Sequence, residues 1–165
     1  MKKIIDVLQE VMEGGFEQAG YDKKFGFVTV SNRPDLCQYQ CNGAMAAAKQ
    51  YKMAPFQIAE KVVEAVKEND IFEKIEMVKP GFINITVSGK LLVDFGKAMM
   101  TEEKFGIPAP EKERTVVIDY GGANVAKPLH VGHLRSAIIG ESVKRIGKFM
   151  GHNVIGDVHL GDWGL

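Results

Sequence analysis

The stretch TVVIDYGGANVAKPLHVGHLRSAIIGESVKRIGKFMGHNVIGDV, residues 115–158, changes its hydrophobic rhythm twice. Its first five residues, 115–119, form a short apolar run of the kind buried in a parallel sheet. A loop follows. Then Leu134, Ile138, Ile139, Val143, Ile146 and Met150 recur at helical spacing, which predicts a helix over roughly 131–150 with those side chains facing inward. Lys144, Arg145 and Lys148 suit the negative end of its macrodipole, and Gly151 can close it. NVIGDV (153–158) reads as a second strand. Strand, helix, strand is one βαβ unit, the opening of a doubly wound, Rossmann-like sheet. One such unit cannot cover both faces of a parallel sheet, so 115–165 is expected to be the incomplete start of a larger domain.

Upstream the pattern differs. GIPAPEKER (106–114) bears prolines and charges with no apolar period and reads as a linker. Before it, residues 1–105 are expected to form an α+β domain, an antiparallel sheet with helices. Ile4, Ile5, Leu8, Val11 and Met12 predict a helix stopping at Gly14-Gly15. FGFVTVS (25–31) and LCQYQC (36–41) alternate like strands, and Asn42 is a candidate N-cap for GAMAAAKQY. Pro55 suits the first turn of a helix with an Ile58, Val62, Ala65, Val66 stripe. FEKIEMV (72–78) and FINITV (82–87) predict a hairpin through Lys79-Pro80-Gly81, proline presetting one turn residue and glycine supplying positive φ. Ser88 can cap a helix running to about Met100.

Lysine plus arginine and aspartate plus glutamate each number 21, a balance that argues against a nonspecific nucleic-acid coat while leaving room for a local patch. No apolar run reaches membrane-spanning length and the N-terminus lacks a continuous apolar signal core, so a cytoplasmic protein is expected. Cys37 and Cys41 are expected to be buried, reduced thiols on one strand face, too far apart for a relaxed disulfide, and no protein-bound metal is expected.

Two of the four histidines, His130 and His133, fall at the start of the long helix. Backbone N–H groups there lack intrahelical partners, and the dipole adds positive potential. Imidazoles at that place can donate to phosphate oxygens, and Gly132 leaves room for a nucleotide against the backbone. Such donors would stabilise charge that builds as pyrophosphate leaves an α-phosphate. The same pattern also suits two surface histidines on a helix end. In FINITV, Ile83, Ile85 and Val87 form the core face, leaving Phe82, Asn84 and Thr86 on the other, where an aromatic and an amide can stack on and hydrogen-bond an unpaired base.

NVAKPLHVGHLRS (124–136) followed by HLGDWG (159–164) resembles the arginyl-tRNA synthetases, class I aminoacyl-tRNA ligases. His130-Val131-Gly132-His133 matches the class I HIGH motif, and Asn124–Lys127 and Leu134-Arg135-Ser136 match its arginyl version. His159–Gly164 matches the next block, and residues 1–105 resemble the family's additional N-terminal domain.

The resemblance implies ATP-dependent activation of arginine to arginyl-adenylate and its transfer to tRNA(Arg) in protein synthesis. His130, Gly132 and His133 would bind ATP, with His130, His133 and Lys127 catalytic. Asp119, Asn124 and His159 would hold arginine, and Phe82 and Asn84 would touch the tRNA elbow. Mg2+ would accompany ATP. The full-length enzyme is expected to act as a monomer, and residues 1–165 alone to be inactive and to self-associate. Gly121-Gly122-Ala123 stands where many relatives carry serine and proline, which puts a hydroxyl contact in doubt. An H-x-G-H nucleotidyltransferase and a noncatalytic tRNA-binding module are the alternative readings.

Overall fold

In the computed structural model, which describes residues 2–163, the chain divides into two compact units, Met1–Thr101 and Glu102–Leu165. In the first, helices α1 (Ile4–Gln18), α2 (Gly43–Tyr51) and α3 (Pro55–Val66) pack with a four-stranded antiparallel sheet. Its order is β1 (Val28–Val30), β2 (Tyr39–Cys41), β4 (Phe82–Val87), β3 (Phe72–Val78). Leu8, Met12 and Phe16 from α1, Ile58 and Val62 from α3, and Ile83 and Ile85 from β4 are fully buried together. Pro55 opens α3 at its first turn, where its missing N–H costs nothing. Helix α4 (Gly89–Thr101) starts at Ser88, whose Oγ accepts from Leu91 N–H at 3.2 Å.

Four local expectations are corrected here. Helix α1 runs through Gly14-Gly15 and ends only at Gln18, before Gly20 at φ +86°. Gly15 serves close packing, since a Cβ there would sit 2.5 Å from Val66 Cγ1. In the hairpin, Gly81 is absent from the positive-φ residues; its missing Cβ makes room for Pro55, 2.6 Å away, while the Lys79–Pro80 peptide is cis. The strands β1 and β2 are shorter than their alternation suggested. Lys23–Phe25 is a 3-10 turn capped by Asp22, and Pro34–Leu36 is a turn in which Arg33 C=O accepts from Leu36 N–H. Cys37 therefore lies outside the strand that carries Cys41, though both thiols are free and buried. Asn42 occupies the N-cap of α2, but its side chain makes no cap hydrogen bond.

In the second unit, β5 (Thr115–Asp119) and β6 (Asn153–Asp157) pair in parallel, Thr115 opposite Asn153 through Asp119 opposite Asp157. The helix α5 (Val131–Phe149) connects them, closed by Gly151 at φ +95°. Its packed face is not the apolar one expected. Leu134, Ile138, Ile139, Val143, Ile146 and Met150 are all exposed, and Gly140 is the helix's one buried residue among those described. Glycine decides the matter. A Cβ on Gly140 would lie 2.1 Å from Tyr120 Cγ, and one on Gly147 would lie 2.8 Å from Val154 Cγ2. The small residues let the helix backbone approach the sheet, so that face packs and the larger side chains point elsewhere. Among the described residues, no helix is long and apolar enough to cross a membrane.

Candidate functional site

The two motif histidines hold the start of α5 between them. His130 is the N-cap, with extended backbone, and its Nδ1 accepts from Gly132 N–H at 3.1 Å. His133 reaches back, its Nδ1 accepting from His130 N–H at 3.1 Å. This is a capping box built from imidazoles in place of the usual hydroxyl and carboxylate. The rings lie 3.9 Å apart between centroids. Because both Nδ1 atoms accept, each neutral ring carries its hydrogen on Nε2, as a donor available to a ligand. Gly132 has a second reason to be glycine. A Cβ there would lie 2.9 Å from His130 Cε1, so the room it leaves is taken by the His130 ring as it folds onto the first turn.

A cleft of about 540 Å³ lies beside the pair, lined by Gly121, Ala123, Leu129, His130, His133 and Ala137, among others. The loop that forms its other wall is bent at Gly121, φ +72°, a conformation that L side chains resist. Gly122 follows because a Cβ there would come within 2.8 Å of the His159 carbonyl oxygen. Asn124 then bridges in parallel to Gly161, with Val125 N–H donating to Gly161 C=O and Gly161 N–H to Ala123 C=O. Its side chain is at work within the loop: Nδ2 donates to Trp163 C=O at 2.8 Å, and Oδ1 accepts from Ala126 N–H at 2.9 Å. The Asn124 turn carries Lys127, which is exposed.

Asp119 stands exposed at the C-terminal end of β5, the end at which open parallel sheets bind ligands. In register beside it lies Asp157, at the end of β6. The sequence pattern alone gave no reason to single out Asp157; only the strand register sets the two carboxylates side by side, a local charge that suits a cation. His159 is exposed, two residues further on, and Gly164 of its matched block lies outside the described residues. Among the described residues, no three His, Cys, Asp or Glu side chains converge to hold a metal ion.

Beneath the loop, sequence reasoning missed a polar cluster. Tyr120 Oη donates to Glu141 Oε2 at 2.6 Å and accepts from Lys144 Nζ at 2.8 Å. Lys144 also pairs with Glu141 at 2.5 Å, and Arg145 Nε donates to Glu141 Oε1 at 2.8 Å. Lys144, then Tyr120 and Arg145, hold the Glu141 carboxyl down to about 2. The network anchors the residue after Asp119 onto α5. An i, i+3, i+4 pattern of Glu141, Lys144 and Arg145 was the available signal.

On the first unit's sheet, Phe82 is half-buried and Asn84 is only 7% exposed. The expectation that Asn84 stands open on the sheet surface is therefore corrected. β4 is an inner strand, so Gln40 on β2 and Glu76 on β3 flank Asn84 directly and cover it.

Residues 2–87 match the family described as arginyl tRNA synthetase N terminal domain, and residues 95–165 that described as tRNA synthetases class I (R), catalytic domain. The chain is 60% identical over 166 residues to an arginine–tRNA ligase of Agathobacter rectalis, and 60% over 165 residues to one of Alkaliphilus oremlandii. In both cases all of this chain is covered and 28% of the relative, so it spans a little over a quarter of their length. A crystal structure of arginyl-tRNA synthetase from Plasmodium falciparum superposes with a TM-score of 0.58 at 29% identity, covering 100% of this chain and 32% of that one. The Thermus thermophilus arginyl-tRNA synthetase structure shares the fold, with a TM-score of 0.51 at 22% identity over 98% of this chain and 26% of that one. By its N-terminal domain and by the class I segment that follows, this chain belongs to the arginyl-tRNA synthetase family.

Proposed function

We propose that the chain serves arginine–tRNA ligation: ATP-dependent activation of arginine to arginyl-adenylate, then transfer to tRNA(Arg). The observation that carries the reading is the reciprocal cap, which supplies two Nε2–H donors at a helix N-terminus beside a cleft. His130 and His133 meet the phosphates of ATP, and their donors strengthen as negative charge builds on the departing pyrophosphate. Gly132 contributes through the His130 ring position and the backbone of the first turn. Lys127 adds positive charge, and Mg2+ arrives with the nucleotide.

Asp119 pairs with the guanidinium of arginine through charge-assisted bonds. Asn124 shapes the adjoining loop and offers its amide oxygen to the α-amino group, with His159 near the same end of the sheet. The second contact surface is the polar face of β4, where the half-buried Phe82 ring stacks on an unpaired base at the tRNA elbow and Asn84, covered between Gln40 and Glu76, supports that face from within. The domain division follows this division of labour: 1–105 for the elbow, 106–114 as linker, 115–165 for the nucleotide. The setting is cytoplasmic protein synthesis.

Arginine- and tRNA-dependent ATP–pyrophosphate exchange tests the reading. A chain of the relatives' full length that includes these residues is expected to show exchange with arginine and none with lysine. The 165 residues alone are expected to show none. Exchange with no amino-acid preference in the long chain would overturn the arginine assignment.

A further inference from the structure

The cleft beside the two histidines has walls of separate origin. His133 and Ala137 belong to α5 and His130 caps it, whereas Gly121 and Ala123 lie on the loop that leaves β5. Tyr120 joins the two. Its N–H donates to Asp157 C=O at 3.1 Å, carrying the β5–β6 ladder one residue past Asp119. Its ring fills a notch made by two glycines. A Cβ on Gly140 would lie 2.1 Å from Tyr120 Cγ, and one on Gly156 would lie 3.0 Å from Tyr120 Cε1. At the far end of the ring the phenol sits between Glu141 and Lys144 on α5. Neither hydrogen bond can run the other way. An ammonium only donates and an ionised carboxylate only accepts, so the phenol proton points at Glu141. Among the described residues, no other side chain of 115–125 hydrogen-bonds to α5. One residue on, Gly121 turns at φ +72° into the cleft wall.

We propose that Tyr120 is a positioning residue for adenylate formation: tied to Glu141 and Lys144, it locks the loop wall of the cleft onto α5 at the spacing where substrate held by the loop meets the histidine donors. The assignment rests on the reading of the cleft as the site of arginine activation. Either wall can hold its part of a bound substrate by itself. The reaction needs both at once, because the arginine carboxylate oxygen bonds to the α-phosphorus as the bond to pyrophosphate breaks, while the Nε2–H donors take up the charge. A wall free to shift by about 1 Å weakens that alignment far more than it weakens binding. Tyr120 therefore acts through His130 and His133 and touches no reacting atom itself.

Tyr120→Phe keeps the ring in its notch and removes only the tie. In a chain of the relatives' length it is expected to lower kcat for arginine- and tRNA-dependent ATP–pyrophosphate exchange by on the order of tenfold. KM for arginine and for ATP should move by less than about twofold. In a His133→Ala background the same substitution should have almost no further effect, since the donor it aligns is gone. Glu141→Ala should lower the rate as Tyr120→Phe does. Glu141→Gln, whose amide oxygen still accepts from the phenol, should recover most of that loss.

A Tyr120→Phe chain with unchanged kcat, or one whose loss is as large without His133 as with it, overturns the positioning role and leaves the activation reading standing. Should the unmodified long chain show no arginine-dependent exchange, the activation reading falls, and the role of Tyr120 with it.

Discussion

His133 Nδ1 accepts the backbone N–H of His130, three residues back, while His130 Nδ1 accepts the N–H of Gly132. Both rings thus spend one nitrogen on the helix start and present the other. At pH 8, long-range 1H–15N correlation spectra should show both imidazoles as the Nε2–H tautomer. An Nδ1–H signal from either ring would mean that the reciprocal cap does not form in solution.

In a chain of the relatives' length, His133→Ala is expected to lower adenylate formation by roughly 10²- to 10³-fold, the usual loss for one donor aimed at developing charge. The arginine KM should move little by comparison. An unchanged rate would return His133 to a purely structural cap.

Adjacent glycines in α1 should respond with opposite signs. Nothing lies within 4 Å of a Cβ on Gly14, so Gly14→Ala should stabilise the first unit by about 0.5–1 kcal/mol through reduced chain entropy. Gly15→Ala places its methyl 2.5 Å from Val66 Cγ1, and overpacking of this kind costs about 1–3 kcal/mol. Denaturant midpoints of the two variants decide it; shifts in the same direction would contradict the packing.

Lys144, Tyr120 and Arg145 hold the Glu141 carboxyl down to about 2, below its ordinary value of 4.5. A carboxylate lowered on folding contributes stability that is fully present above 4.5 and disappears as pH falls from there through about 2. The second unit should therefore lose amide protection across that window more steeply than a Glu141→Gln chain. Parallel pH profiles would show that the network adds nothing.

Burial pushes the Cys41 thiol up to about 11, and the residue is fully inaccessible. A thiol so placed has almost no thiolate at pH 8. Aromatic disulfide reagents should leave Cys41 unmodified in the folded chain and label it promptly in denaturant. Rapid labelling under native conditions would contradict the core.

What the residue string determined by itself was local. The 3.6-residue period of α3, the alternation of FINITV, the Ser88 cap and the positive-φ closure at Gly151 all follow from short-range sterics and hydrogen bonding. The HVGH segment at a helix start belongs with these, because a helix N-terminus exposes its donors whatever surrounds it. The tertiary structure decided which surfaces those elements hide. Periodicity placed Leu134, Ile138, Ile139, Val143, Ile146 and Met150 on one side of α5 and pointed that side inward; among the described residues the sheet packs against the other side, where Tyr120 and Val154 occupy the volume left at Gly140 and Gly147. Asn84 had the alternation of an outward residue and became covered because β4 lies between two other strands. The pairing of Asp119 with Asp157 required parallel register across a connection that includes all of α5. Each of these depends on the shape of a partner distant in the chain, and close packing, unlike helical period, has no signature within a short window of sequence.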